Sequence, residues 1–404
     1  MIKKYTIVLL FFSIITNDPL PVRADWVNIS GGIGNLNVNA ITGAGGFVFA
    51  GNDNRVYRSS NNGNNWIEIY GQSALALATN GTNVYRGYSN GFNYTTNLGS
   101  NWVFGNLTQW TTELLATGST VYAGCFYPQL VSTNKGVWIS TNSGANWTQT
   151  ALNNIDIYSL AISGSYLFAG GGTNGVGGGV FKSTNNGLNW TNPLPMGGDA
   201  IASFENFVYS GAIGIYRSTN FGENWTQTSL TTQDVNALTT YNNNIVFAGT
   251  SNGFYQSTDN GITWLLRNEG MTSGVSSMAI FNGYICAGSL GQGIWRRPLS
   301  ELVGIEQISS TIPEKSGLEQ NYPNPFNPNT KIKFQLLKHG NAEIIIYDIT
   351  GRRIQKLLNE ELNAGEYEID FNASGLSSGI YFYKLEVNSG KEVFTDTKKM
   401  VLIK

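Results

Sequence analysis

The chain has 404 residues, with 24 Lys and Arg against 26 Asp and Glu, and a formal net charge of −2. A nearly neutral chain offers no electrostatic case for binding nucleic acid or an anionic membrane surface. Its length allows two domains, each with its own core. Charged residues are sparse in 25–300 (nine Lys/Arg and eleven Asp/Glu) and dense in the shorter segment 301–404 (twelve and fourteen). This shift predicts a domain boundary near residue 300.

The amino terminus has the features of a signal peptide. Lys3 and Lys4 precede an apolar run at 6–15, and Ala24 ends a small-residue cleavage site. The apolar run is too short to span a bilayer as a helix. We therefore predict that residues 1–24 are a signal peptide and that the mature, exported chain has no membrane span.

An eight-residue pattern, Ser/Thr-x-Asn/Asp-x-Gly-x-x-Trp, occurs six times after the predicted signal peptide. Its copies end at Trp66, Trp102, Trp147, Trp190, Trp225 and Trp264. Gly supplies the positive φ of a tight turn, the Asn or Asp side chain bonds the turn backbone, and Trp covers it. A turn repeated in this way indicates one supersecondary unit used many times.

Each repeat contains four short segments rich in β-branched and aromatic residues, separated by Gly and Asn. The repeat of about 40 residues and the absence of helical periodicity predict an all-β region made of propeller blades. Residues 275–298 supply three more strands, and Asp25–Ser30 looks like a missing fourth. We therefore predict a seven-bladed β-propeller over 25–298, closed by its own amino-terminal strand.

The six turns resemble the Asp-box, or BNR, repeat of sialidases, sortilin-type receptors, glucanases and photosystem assembly factors. The resemblance implies a propeller but says little about function. Five of the six turns carry Asn where that family usually has Asp, and only Asp259 keeps the acid. Asn can form the same turn bonds, but neutral amides are poorer calcium ligands, so we expect no metal here.

The carboxyl-terminal part differs in composition. Residues 299–317 carry no repeat and are predicted to be a linker, and 318–404 contain short alternating strands typical of a small Ig-like β-sandwich. The entry Asn321–Pro328, the segment 376–382 and the ending 398–404 resemble the type A C-terminal sorting domain of the type IX secretion system. The resemblance implies that 318–404 engage the secretion machinery of a Gram-negative cell and that the protein reaches the cell surface or the medium.

Few residues could carry catalysis in the predicted propeller. The one histidine, His339, lies in the predicted sorting domain, which excludes a His-dependent triad or His metal site in 25–298. Cys125 and Cys286 fall in blades nearly opposite one another, too far apart for a disulfide, so we expect two buried thiols. No cofactor is predicted.

Sialidase chemistry would require an arginine triad. Arg58, Arg217 and Arg296 occupy the same third-strand position of their repeats. A repeat position therefore explains them better than a substrate site, and the early Phe/Tyr-Arg-Ile-Pro motif of sialidases is absent.

A glycoside hydrolase with two carboxylates remains as an alternative. Asp156 and Asp234 open the innermost strands of blades four and six, and Glu113 and Asp199 lie near the same level in blades three and five. Such carboxylates could supply an acid and a base at one mouth of the channel. They could equally satisfy loop amides.

The leading hypothesis is a non-catalytic module that binds carbohydrate or protein. Blades three and four carry the long loops between second and third strands, and a binding site explains such asymmetry better than folding does. Trp110, Phe126 and Tyr127 supply aromatic surface there, and Asp156 is the expected hydrogen-bond acceptor.

Overall fold

The computed structural model describes residues 25–34, 37–126, 134–173, 176–241, 245–302, 305–309, 311–373, 376–390 and 392–403. These residues form nine four-stranded sheets, and a 3-10 turn follows the seventh sheet at Leu299–Glu301. The predicted signal peptide lies outside the described residues. Within the ranges described, the chain has no helix of the length and apolar character that a bilayer crossing needs.

Seven of the sheets lie between residues 27 and 298, and each has its strands in the order given below. Sheet one is Val38–Ala44, Phe47–Asn52, Val56–Ser59 and Ile67–Tyr70; sheet two is Ala76–Asn80, Asn83–Tyr88, Gly91–Thr95 and Val103–Phe104; sheet three is Trp110–Thr117, Thr120–Phe126, Gly136–Ser140 and Thr148–Gln149; sheet four is Asp156–Ser163, Tyr166–Thr173, Val176–Ser183 and Thr191–Leu194; sheet five is Ala200–Phe204, Phe207–Ala212, Gly214–Ser218 and Thr226–Gln227; sheet six is Val235–Tyr241, Ile245–Thr250, Gly253–Ser257 and Leu265–Leu266; sheet seven is Val275–Phe281, Tyr284–Ser289, Ile294–Pro298 and Val27–Asn28.

The seven sheets follow one another in a closed cycle. The first strand of each sheet contacts the first strand of the next, and that of sheet seven contacts that of sheet one. A glycine of each second strand permits this approach, because a Cβ at Gly51 would lie 2.5 Å from the Cβ of Ala74, two residues before the first strand of sheet two. The glycines at this position are Gly51, Gly87, Gly124, Gly170, Gly211, Gly249 and Gly288.

The amino-terminal strand completes sheet seven, as the sequence predicts. Val27 pairs with Arg296, so the sheet is built from both ends of this region. Trp26, only 3% exposed, donates its indole N–H to the Arg267 carbonyl at 2.7 Å and packs edge-on against Phe254, with ring centroids 4.8 Å apart. The first residues of this region therefore contribute both a sheet edge and a large buried ring.

Deleting residues 25–31 should lower the melting temperature by several degrees. The deletion leaves an unpaired edge on Ile294–Pro298 and removes the buried side chains of Trp26 and Ile29. Loss of about 3 kcal/mol corresponds to roughly 6–12 °C for a region of this size. Differential scanning calorimetry of the full and shortened chains measures the shift, and an unchanged melting temperature would contradict the stabilising role of closure.

The six repeated turns share one hydrogen-bond pattern. In the first copy, the Ser59 hydroxyl accepts the Gly63 N–H at 2.9 Å, and the Asn61 side-chain oxygen accepts the Asn65 N–H at 2.9 Å. Asp259 makes the equivalent bond to the Thr263 N–H at 2.9 Å. Asn therefore performs the same turn function as Asp, as the sequence predicts.

Two successive residues of each turn have positive φ, whereas the sequence pattern identified only the glycine. The residue before the glycine also lies in the left-handed region, including Leu98 (φ 56°) and Phe221 (φ 54°). Type I′ turns require a positive φ at both central positions. The residue before the glycine was missed because its side chain varies from copy to copy. These residues are Asn62, Leu98, Ser143, Asn186, Phe221 and Asn260.

Residues 305–402 form the other two sheets. Sheet eight is Ile305–Ser309, Gly365–Asn372, Asn329–Leu336 and Gly317–Leu318, and sheet nine is Arg353–Leu362, Gly340–Asp348, Gly379–Ser389 and Glu392–Leu402. Apolar side chains of both sheets, such as Phe334 and Ile344, lie in one buried cluster. The segment 299–317, predicted as a linker, thus contains a strand at 305–309 that pairs with 365–372. Neither the density of charged residues nor the absence of the repeat in this part of the sequence indicates that pairing.

Candidate functional site

Trp110 and Phe126 lie together at the start of sheet three. They are paired residues on its first two strands, and their ring centroids are 5.7 Å apart at an interplanar angle of 39°. Both side chains are partly exposed. The structure therefore brings together two of the three predicted aromatic residues. The third, Tyr127, lies outside the described residues.

Asp156 forms a buried ion pair. Its carboxylate lies 3.4 Å from the ammonium of Lys135, and the two side chains are 10% and 4% exposed. Lys135 stands just before the third strand of sheet three, whereas Asp156 opens sheet four. The structure thus places the predicted acceptor Asp156 in an ion pair between two neighbouring sheets, and its role toward a ligand stays a prediction.

Asp199 and Asp234 are exposed at the entries of sheets five and six. Although Asp199 is exposed, partial desolvation of its carboxyl and, after that, the negative charge of Asp234 raise the pKa of Asp199 above its ordinary value. Burial first, then the charges of Asp156 and Asp199, raise the pKa of Tyr158. The charges of Asp156 and Asp199 therefore act on Tyr158, a residue that the sequence analysis missed, and the charge of Asp234 acts on Asp199.

The pKa of Glu113 is shifted by burial alone. Burial raises the pKa of its carboxyl from 4.5 to about 8, and none of the other three carboxylates contributes to the shift. Glu113 pairs with Gly124 of the second strand, a position that other sheets fill with small residues. Those residues are Ala40, Ala76, Ser159, Ala200, Ala237 and Ser277. The acid is therefore a departure from the repeat.

The arginines at the repeated third-strand position interact with residues of their own sheet and of the next. Arg58 donates to the Leu98 carbonyl at 2.6 Å and lies 4.6 Å from the Phe47 ring centroid. Arg296 donates to the Asn62 carbonyl and lies 4.6 Å from the Tyr284 ring centroid. Each of these two guanidinium groups thus joins one sheet to the turn of the next, which agrees with a repeat position.

Neither cysteine nor a metal cluster supplies chemistry among the described residues. Cys125 and Cys286 are buried free thiols, and burial raises the pKa of each to about 12. A thiol with so high a pKa is a poor nucleophile at neutral pH. The described part of the chain also contains no group of three or more His, Cys, Asp or Glu placed to hold a metal ion.

Residues 320–403 match the family described as the secretion system C-terminal sorting domain. This family implies export by the type IX secretion system, to the cell surface or the medium, which is consistent with the outer surface of a Gram-negative cell. No curated protein matches the sequence.

The solved structures that resemble this chain are β-propellers. A structure of YCF48 bound to D1 peptide is 13% identical, with a TM-score of 0.53, and covers 66% of this chain and 94% of its own. YCF48 from Cyanidioschyzon merolae is 11% identical, with a TM-score of 0.52, and covers 68% and 98%. The extracellular domain of BT4673 from B. thetaiotaomicron is 12% identical, with a TM-score of 0.53, and covers 94% and 59%. Such low identities show the fold alone.

Proposed function

We propose that this chain is an exported, non-catalytic binding protein. Residues 25–298 are a seven-bladed propeller of the Asp-box type, and 318–404 are an Ig-like sandwich that delivers it through the type IX machinery. The closed cycle of seven four-stranded sheets supports the propeller, and the shared core of sheets eight and nine supports the sandwich. The ligand is a carbohydrate or a protein surface, and carbohydrate is the better supported.

The observation that carries this proposal is the Trp110–Phe126 pair. Two partly exposed rings lie together, one at the start of the first strand of sheet three and the other at the end of the second. The Lys135–Asp156 ion pair joins sheet three to sheet four. Rigid aromatic surface is a usual means of holding sugar rings.

Replacing Trp110 and Phe126 together by Ala should weaken binding about tenfold or more without unfolding the protein. Each ring contributes on the order of 1 kcal/mol of stacking, and both are partly exposed, so their loss leaves the buried core intact. A glycan array with residues 25–404 identifies the ligand, and calorimetric titration measures the affinity.

The matched control is Phe104→Ala, which removes a 68% exposed ring from the outer strand of sheet two. That variant should bind as the unaltered chain does. Equal binding by the double variant would show that the aromatic pair is not the binding surface.

Residues 299–404 fused to a periplasmic reporter should carry the reporter to the cell surface in a host with a type IX system. This segment includes the strand Ile305–Ser309, which pairs with Gly365–Asn372 and so protects an edge of sheet eight. Protease accessibility of the reporter on intact cells measures the outcome. The reporter without the fusion is the control, and retention of the fusion in the periplasm would contradict the proposal.

One observation favours the alternative, a glycoside hydrolase. A carboxyl with a pKa of about 8, as at Glu113, keeps its proton at neutral pH, as a general acid must. Asp199 or Asp234 would then be the base. Screening residues 25–404 for release of reducing sugar from polysaccharides tests this function, and activity that Glu113→Gln abolishes would replace the binding proposal by the enzyme.

A further inference from the structure

One residue position near the start of the first strand can link a sheet to the next by a side-chain hydrogen bond. It is the residue immediately before the one that pairs with the second-strand glycine, and we call it the latch position. Its seven occupants are Asn39, Leu75, Thr112, Tyr158, Asp199, Asn236 and Ser276. Because the side chain at this position stands at the boundary between two first strands, a donor there can reach the backbone of the next sheet.

Four of the seven side chains make that bond. Asn39 and Asn236 each donate to a carbonyl of the next sheet at 3.1 Å, those of Ala74 and Val275. Thr112 donates to the Ile157 carbonyl at 2.6 Å. Ser276 donates to the Val38 carbonyl at 2.7 Å, which closes the cycle. Each bond gives the carbonyl a side-chain donor across the junction, and we expect it to stabilise the contact between the two sheets.

Three sheets lack this bond from the latch position: sheet two has the apolar Leu75 there, and sheets four and five have Tyr158 and Asp199 at neighbouring positions of the cycle. In sheet four the bond is made instead by the next residue, Ser159, whose hydroxyl donates to the Gly198 carbonyl at 2.8 Å. Tyr158 is thereby released and is 38% exposed, its hydroxyl 3.5 Å from the Gly172 carbonyl. In sheet five Asp199 cannot donate while it is ionised. Sheets four and five are thus the two adjacent sheets in which an aromatic or acidic side chain occupies the latch position without bonding the next sheet.

Asp199 also faces an unfavourable charge. The carboxylate of Asp234 acts on it, whereas the charge of the nearby Asp156 is balanced by Lys135. An Asn at this position would offer the bond that Asn236 makes and remove the repulsion. A residue that destabilises the contact between its own sheet and the next is expected at functional sites rather than in structural repeats.

We propose that Tyr158 and Asp199 contact the ligand, and that the ligand is a saccharide offering hydroxyl or ammonium donors and bearing no acid groups. This inference rests on the proposed binding function and names the chemistry of its site. Tyr158 supplies an exposed aromatic face on sheet four, the sheet next to the one that carries the Trp110–Phe126 pair, and Asp199 supplies an acceptor. The uncompensated charge of Asp199 and Asp234 disfavours uronic and sialic acids and favours amino sugars.

The test uses residues 25–404 with three hexasaccharide probes: cellohexaose, a chitosan hexamer and hexagalacturonate. The chitosan hexamer should bind most tightly and hexagalacturonate should not bind. Tyr158→Ala and Asp199→Asn should each weaken chitosan binding about tenfold, the loss of one stacked ring or one charge-assisted bond. Asp199→Asn should also raise the melting temperature by about 2–4 °C because it builds the latch.

Asn236→Asp is the reciprocal control, and it should lower the melting temperature by a similar amount. An unchanged melting temperature in Asn236→Asp would overturn the latch rule. Unchanged chitosan affinity in both Tyr158→Ala and Asp199→Asn, with weakened binding in the Trp110 and Phe126 double variant, would overturn this inference and leave the proposed function standing. Preferred binding of hexagalacturonate, or of pentalysine over all three saccharides, would also overturn it. Failure of all probes, and of the glycan array, would overturn both.

Discussion

Replacing Glu113 by Gln is expected to stabilise the protein increasingly as the pH rises from 5 to 8.5. Burial raises the pKa of the Glu113 carboxyl from 4.5 to about 8. In the unfolded chain the carboxyl loses its proton near pH 4.5, whereas in the folded chain it keeps its proton up to about pH 8. Between these two pH values unfolding releases a proton, so the free energy of unfolding falls as pH rises. Below pH 4.5 the group contributes nothing, and above pH 8 its cost is constant.

A difference of 3.5 pKa units corresponds to about 5 kcal/mol at most. Urea unfolding of both proteins at several pH values measures the effect. The two should have similar stability at pH 5, because Gln resembles a protonated Glu in size and hydrogen bonding, and they should diverge by several kcal/mol at pH 8.5. Subtracting one curve from the other cancels the titration of all groups that the proteins share.

Glu314→Gln is the matched control, since its side chain is exposed. The difference between that variant and the unaltered chain should not vary with pH. A flat difference curve for Glu113→Gln would show that its carboxyl is ionised in the folded protein, and it would also remove the observation that favours a hydrolase.

The sequence predicted the architecture well because a short local pattern specifies it. A tight turn needs a glycine, a polar residue and a covering ring within eight positions, so the copies are recognisable in the chain itself. The pairing of the amino-terminal strand with Ile294–Pro298 followed from counting strands, and it is present. The strand at Ile305–Ser309 was missed because nothing local distinguishes it from a linker.

The site was less predictable, because its contacts join residues of different sheets. Lys135 and Asp156 are 21 positions apart and are separated by two strands and a turn, so the sequence showed two charges but no pair. Tyr158 had a readable signal. Aligning the repeats on the second-strand glycine puts Tyr158 where Asn39 and Asn236 stand, a large ring in a position for small donors.

Replacing Asp156 by Ala should lower the free energy of unfolding by about 3–5 kcal/mol, the range for breaking a buried ion pair. The reason is the Lys135 ammonium, which is 4% exposed and 3.4 Å from that carboxylate. Among the described residues it has no second carboxylate within ion-pair distance. Losing Asp156 therefore leaves a buried charge that the remaining structure does not balance.

The double variant Asp156→Leu with Lys135→Met separates this charge effect from packing. It removes both charges and retains apolar volume, so its stability should lie within about 1 kcal/mol of the unaltered chain or above it. Urea unfolding at pH 7 compares the three proteins. The double variant should also bind its saccharide less tightly, because the ion pair joins sheet four to sheet three, which carries the Trp110–Phe126 pair. A loss below about 1 kcal/mol in Asp156→Ala would mean that water reaches the ammonium and that the pair does not hold the two sheets together.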